Sequence, residues 1–286
     1  MMILACNALL LTAMAALQTP PPSAPSGSPP VRKPSTEPMA PPFVATPGAQ
    51  PQPPRSSPGQ CPPAYIAGGR QWVIEPGTSW KLVADRIMPG DELLFTAWFH
   101  IPQDFSGLTG TAERPIFIRS RDEKPAAIAC EQHGFTFRRC QHVVVENILF
   151  FNAVDAAILV DGSPVPGADA ATPLGQPQPT GWNSDVTIRN CTIAGTRPND
   201  DQDAVRVRNT NSVIVDSIRV DGWNDAAVEI DSSRRVLVRG LMTAPPTGTT
   251  PKRGVAVLGP SSEISITASS FNASIGTGIQ VGTPGL

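Results

Sequence analysis

The sequence predicts an all-β fold from about residue 61 onward: a right-handed, single-stranded parallel β-helix, a solenoid of stacked coils. Three observations predict it. Five segments share one pattern, namely Val145-Glu146-Asn147-Ile148-Leu149-Phe150, Ile188-Arg189-Asn190-Cys191-Thr192-Ile193, Val215-Asp216-Ser217-Ile218-Arg219-Val220, Val238-Arg239-Gly240-Leu241-Met242 and Ile266-Thr267-Ala268-Ser269-Ser270-Phe271. Their first residues step by 43, 27, 23 and 28 residues, about the length of one β-helix coil, and the longest step also holds a Pro/Gly-rich insertion from Ser163 to Thr180. A second column runs between them: Ala157-Ile158-Leu159-Val160, Ala204-Val205-Arg206-Val207, Ala227-Val228-Glu229-Ile230, Gly254-Val255-Ala256-Val257 and Gly278-Ile279-Gln280-Val281. Each alternates with period two, which points β-branched side chains inward and the residues between them outward. Finally, no stretch between the columns has helical periodicity long enough for a βαβ crossover.

Before the coils, residues 1–18 read as an export signal, apolar from Met1 to Ala16 and ending in small residues, although no Lys or Arg precedes the apolar run. The run is shorter than the ~20 residues of a membrane span, so no transmembrane span is expected once the signal is removed. Cys6 precedes the apolar stretch rather than following it, which argues against a lipoprotein cleavage box. Residues 19–60 hold nearly half of the chain's 33 prolines, interleaved with Ser, Ala, Gly and Gln, as a disordered linker would. This organisation places the protein outside the cell or on the exterior of its envelope, with the periplasm as the other compartment that fits.

The β-helix of residues 61–286 starts with a strand at Trp72-Val73-Ile74, a turn at Pro76-Gly77 and a short N-capped helix over Ser79 to Ile87 that plugs the open end. Pro89 to Phe95 leads into the first full coil, and Glu113 to Ile118 begins the next. Asn147 and Asn190 fall where the chain bends between two strands, a place that suits αL backbone. The stack gives way to Ser217, Gly240 and Ala268, so it is a structural feature. Cysteines 61, 130, 140 and 191 remain after the signal, and four thiols allow three pairings. Cys130 with Cys140 is the most local, while Cys191 aligns with Ile148 and Ile218 and reads as a buried apolar thiol. No amphipathic cap follows Gly282, so further coils are expected beyond Leu286, the alternatives being closure by the chain's own tail or a contact between copies.

The 286 residues carry a formal net charge of -2. No basic patch suits a phosphate backbone and no Cys/His cluster suits zinc, which argues against nucleic acid as a partner. Asn199-Asp200-Asp201-Gln202-Asp203 concentrates acidic groups in one turn, and such groups repel unless a cation or a nest of donors offsets them. Aligning the second column puts Arg206 over Glu229 and Arg208 between Asp161 and Asp231. That is also what a structural ladder of cross-strand charge pairs looks like. Histidines 100, 133 and 142 lie in early coils, far from the acidic turn, and read as surface or coil-edge residues.

Pro89-Gly90-Asp91, Gly110-Thr111-Ala112-Glu113-Arg114-Pro115-Ile116 and the run from Asp203-Ala204-Val205-Arg206-Val207 to Trp223-Asn224-Asp225-Ala226-Ala227-Val228-Glu229-Ile230 resemble the pectin lyase-like superfamily over roughly residues 68 to 286. The likeness is closest to uncharacterised exported bacterial members. It implies a polysaccharide partner, because characterised members mostly cleave or bind acidic polysaccharides, and it implies Ca²⁺ as the cofactor of a lyase. In the calcium-dependent lyases acidic side chains on one sheet hold the ion and a basic residue removes the proton alpha to the uronate carboxylate. Carried onto this chain, the metal ligands are Asp201, Asp203 and Asp225, and Lys252-Arg253 matches the substrate-binding lysine segment. Where those lyases carry catalytic arginines, Ser274 to Ile279 has no basic residue, so Lys252, Arg253 or Arg206 would have to serve. Trp223, Asn224 and Glu229 are the substrate-binding candidates, with Trp182 and Trp223 offered for stacking on sugar rings. Two alternatives remain: a glycoside hydrolase using Asp200, Asp201 and Asp225, and a non-catalytic surface or matrix protein with the solenoid as spacer or adhesin.

Overall fold

A computed structural model describes residues 69–163, 183–194, 202–244, 251–271 and 276–282. The signal, the linker, Cys61, most of the Ser163 to Thr180 insertion, Trp182, Asn199, Asp200 and Asp201 lie outside the described residues.

The described chain is a parallel β-helix with three sheets, named A, B and C here in the order each coil visits them. Sheet A has eight strands, from Gln71–Ile74 to Ser262–Thr267. Sheet B has six, from Phe99–His100 to Met242–Ala244, and sheet C has seven, from Gln103–Ser106 to Thr277–Val281. All strand pairs are parallel, so each coil is a rung that hydrogen-bonds to the rungs above and below. The first sequence column straddles the A–B corner, and the second is sheet C. At the A–B corner Asn147, Asn190, Ser217, Gly240 and Ala268 have φ of 54°, 51°, 54°, 62° and 47°. Five coils therefore turn the same corner through αL backbone, with Asn, Ser, Gly or Ala filling the position. Asn147 Nδ2 donates to the carbonyls of Asp122 and Glu123 in the coil before it, at 3.4 Å each.

Inside, columns of apolar side chains run the length of the described coils. In sheet A, Ile118, Val145, Ile188, Val215, Val238 and Ile266 stack in register. In sheet C the column is Phe137, Val160, Val207, Ile230 and Val257, and Val281 continues it in register on the last described coil, where it is exposed. A fully buried Val or Ile contributes about 1.5 to 3 kcal/mol, so each coil secures itself through a few such residues. The early coils use aromatic rings instead: Phe135 lies within 5.5 Å of the ring centroids of Phe95, Phe105 and Phe150.

At the start, the expected helix over Ser79 to Ile87 is two successive 3₁₀ turns, Trp80–Leu82 and Ala84–Arg86. Val83, with φ -119°, interrupts them, as a β-branched residue off helical geometry does. The N-cap holds, since Ser79 Oγ accepts from Lys81 N at 3.3 Å. Trp80 is buried against Phe105 at 5.3 Å and donates from Nε1 to Asp104 O at 2.9 Å, so it packs against the first strand of sheet C.

Asp91 locks this end to the first coil. Its carboxylate accepts from Arg70 N at 2.9 Å, Arg70 Nη2 at 2.9 Å, Trp72 Nε1 at 3.0 Å and Met88 N at 3.0 Å. Burial alone would raise its pKa, but the bonds from Arg70, Trp72 and Met88 prevail and hold it down at about 2. A depressed carboxyl gives stability that is fully present above the ordinary range near 4 and is lost as pH falls toward 2. Asp91→Ala is expected to cost about 2 to 3 kcal/mol in chemical denaturation at pH 7 and to flatten the wild-type decline between pH 4 and 2. An unchanged acid profile would refute the latch.

One open question is answered and one expectation corrected. Of the pairings left open, Cys130 with Cys140 does not form: all three described cysteines are free and buried. The strand His133–Arg138 separates them, about 17 Å of extended chain against the ~7 Å limit a disulfide tolerates between Cα atoms. His100 is no surface residue. It is buried in sheet B with Nε2 2.8 Å from Thr96 O, and burial holds its imidazole below the usual range.

Candidate functional site

In each coil the chain enters sheet C from the B–C corner, and acidic residues at that entry stack across coils. Asp155 precedes the strand Ala156–Asp161, Asp203 opens Asp203–Arg208, Asp225 precedes Ala226–Asp231, and Arg253 opens Arg253–Leu258. Backbone bonds fix the stack: Asp203 N donates to Asp155 O at 2.9 Å, and Arg253 N to Asp225 O at 2.8 Å. One alternation further in, Arg206 faces Glu229 in register.

Arg206 is the centre of this arrangement. Nη1 reaches Asp155 Oδ1 at 2.5 Å, Nη2 reaches Asp203 Oδ2 at 2.7 Å, and Nε reaches Glu229 Oε1 at 3.2 Å. His133 Nε2 holds the other oxygen of Asp155 at 2.9 Å. On the far side Asp225 Oδ2 pairs with Arg253 Nη2, and Lys252 Nζ stands 3.8 Å from Asp225 Oδ1. The carboxylates of Asp203, Asp225 and Glu229 each offer an oxygen within 4.8 Å of the others, a group that can hold a metal ion.

Burial, then the charge of Glu229, raises the Asp203 carboxyl above its ordinary value, while Arg206 pulls it down. Burial, with Asp225 beside it, also raises Glu229. Despite burial, the carboxylates around Arg206 raise its pKa. The bond to Asp225 does the same for Arg253. Both guanidinium groups therefore stay charged and cannot take up a proton. Asp225 Oδ1 is buried and accepts no hydrogen bond among the described residues, so the donor set fits a hard cation that supplies what this oxygen lacks.

The structure thus brings together six of the predicted residues, Asp203, Asp225, Glu229, Arg206, Lys252 and Arg253. Asp201 lies outside the described residues. Glu229 sits within the acidic group rather than apart from it as a substrate contact. Trp223 is corrected: it is fully buried and donates from Nε1 to Arg253 O at 2.8 Å, so no sugar can stack on it. Asn224 Nδ2 donates to Gln202 Oε1 at 3.2 Å and braces the corner. The charge pairs of the outward column stand as aligned, with Arg208 Nη2 3.2 Å from Asp161 Oδ2 and in register with Asp231.

Sequence reasoning missed Asp155 and His133. His133 is not remote from the acidic turn, because the register runs His133, Ala156, Asp203 through consecutive coils. The available signal was the repeated Asp-Ala-Ala at 155–157 and 225–227, which places Asp155 at the coil position of Asp225.

Sheet A provides the contrast that gives the cluster meaning. On its outer face Arg119, Glu146, Arg189, Asp216 and Arg239 stack in register with alternating sign, and Glu92, two residues before the Leu94 that faces Arg119, reaches Arg119 from the coil before. Arg119 bonds Glu92 at 2.7 Å, Arg189 bonds Glu146 at 2.6 Å and Arg239 bonds Asp216 at 2.5 Å. Charges there match one for one, as a structural ladder needs. At the B–C corner, among the described residues, Asp155, Asp203 and Glu229 all contact Arg206, while Arg253 and Lys252 both face Asp225.

No family model matches the chain, and no curated protein does. Among solved structures it is similar to an alginate lyase from Paenibacillus sp. str. FPU-7, with 12% identity, 71% of this chain and 99% of that chain covered, and a TM-score of 0.36. It is also similar to a variant of the PL6-family alginate lyase AlyGC, with 10% identity, 73% of this chain and 40% of that chain covered, and a TM-score of 0.39. The described residues include no helix long and apolar enough to cross a membrane.

Proposed function

We propose that the protein is exported and binds an acidic polysaccharide along the B–C corner, where Asp203, Asp225 and Glu229 hold Ca²⁺, and that it acts there as a lyase. The observation that carries this reading is the buried acidic group itself. Its three carboxylates offer oxygens within 4.8 Å of one another, Asp225 Oδ1 is buried and accepts no hydrogen bond among the described residues, and the group borders three basic side chains. A bound Ca²⁺ would neutralise a uronate carboxylate and so acidify the adjacent C–H. Arg206 and Arg253, held ionised, orient the carboxylates. Lys252, with 53% of its side chain exposed, is the basic group at the surface of the cluster: as the free amine, its own proton given to solvent, Nζ takes the C–H proton while the C–O bond to the neighbouring sugar breaks and the departing oxygen is protonated by water.

A second reading, a non-catalytic solenoid, draws support from the saturation of Arg206 by three carboxylates. The two readings separate in one experiment on the full chain. Ca²⁺ is expected to raise the melting temperature, and polygalacturonate, alginate or chondroitin to yield unsaturated product by its ultraviolet absorbance. A calcium shift without product on any of the three leaves the binding reading and ends the lyase. Absence of both ends the proposal. N-terminal sequencing of the exported protein checks the signal.

A further inference from the structure

Arg206 already occupies two of the triad's three carboxylates. Nη2 and Nε both reach Asp203 Oδ2 at 2.7 Å and Nε stands 3.2 Å from Glu229 Oε1, so the guanidinium competes for carboxylates that a hard cation would take at about 2.3 to 2.6 Å. Its contact with Asp155 leads away from the triad. Asp155 lies outside the triad, takes Nη1 at 2.5 Å and is backed by His133 on its second oxygen.

We propose that Arg206 is a built-in competitor for the cation and that Asp155, positioned by His133, sets how strongly it competes. This rests on the cation reading above, but its test reads cation binding alone, with no polysaccharide present. A guanidinium is a planar fork that serves several carboxylates at once, so its charge divides among whatever acids surround it. Asp155 draws the fork outward and leaves Asp203 and Glu229 part of their charge. Without that pull, the guanidinium settles on the triad. Without the guanidinium, the counter-charges left on the triad among the described residues are Arg253 and Lys252, both on Asp225.

The two substitutions must therefore move Ca²⁺ affinity in opposite directions. Measured by isothermal titration with Ca²⁺, Arg206→Gln is expected to bind roughly 10-fold tighter than wild type, and Asp155→Asn roughly 10-fold weaker, each tenfold being about 1.4 kcal/mol. Without Ca²⁺, Arg206→Gln melts below wild type because buried carboxylates lose their partner, and added Ca²⁺ restores it more than it shifts wild type. Arg206→Lys keeps the charge without the fork and falls between wild type and Arg206→Gln. If Arg206→Gln does not fold, the loss of affinity in Asp155→Asn still decides. Shifts of the same sign in both variants, or no shift in either, would overturn the competitor role. Wild type silent to Ca²⁺ with Arg206→Gln binding it would support the competitor while removing the cation from the proposed function.

Discussion

Phe135→Ala is expected to lower the stability of the early coils by about 3 to 5 kcal/mol. Phe135 is fully buried, and its ring lies 4.9 Å from that of Phe150, 5.1 Å from Phe105, 5.5 Å from Phe95 and 6.2 Å from Phe137. Those rings come from all three sheets, so the truncation opens a cavity at the axis of the solenoid that no neighbouring strand can fill by shifting. Strands held in a hydrogen-bonded ladder on both sides relax little, which places the cost at the upper end for an aromatic deletion. Urea denaturation followed by tryptophan fluorescence measures it, since Trp80 stacks on Phe105 in the same cluster. Phe135→Leu keeps most of the volume and is expected to cost less than half as much. A loss below about 1 kcal/mol for the alanine variant would mean that the coils do not share this core.

Under the lyase reading, Lys252→Ala is expected to slow the release of unsaturated product by about 10²- to 10⁴-fold, the usual contribution of a positioned acid or base. Stability is expected to hold within ~0.5 kcal/mol, because the side chain is half exposed and its ion pair with Asp225 spans 3.8 Å. The loss belongs in kcat rather than KM if Lys252 moves the proton, and in KM if it only binds the polymer. Equal rates for wild type and variant would remove Lys252 from the chemistry. The bound, charged state of Arg206 and Arg253 would then leave no base among the three predicted.

The sequence showed the solenoid because β-helix coils repeat chemistry at fixed corners. The αL position at 147, 190, 217, 240 and 268 and the alternating column of sheet C both appear as vertical patterns once coils are aligned. Sheet B was harder to see. Strands such as Thr192–Ala194 and Arg219–Asp221 have three residues, too few for alternation to show. Within the site, Asp203, Arg206, Asp225 and Glu229 could be placed because they lie on or beside the repeating column. Asp155 escaped because the long insertion separates its coil from that of Asp203, and proximity in sequence pointed to the acidic turn at 199 to 203 instead. Trp223 misled for a different reason. Gly-Trp-Asn looks like an exposed corner, yet its indole N–H finds the Arg253 carbonyl within the stack, which lets a large polar-tipped ring lie fully inside.

The alternating charges of sheet A restrict how this solenoid can change its length. Deleting the single coil that carries Arg189 would set Glu146 beside Asp216, and duplicating it would set Arg189 beside its own copy. Either change places like charges one strand spacing apart, a destabilising contact. Removing or adding two adjacent coils restores the order of sign. The ladder therefore acts as a parity rule on the number of coils between Arg119 and Arg239, and chains that grow or shrink in this stretch should do so two coils at a time.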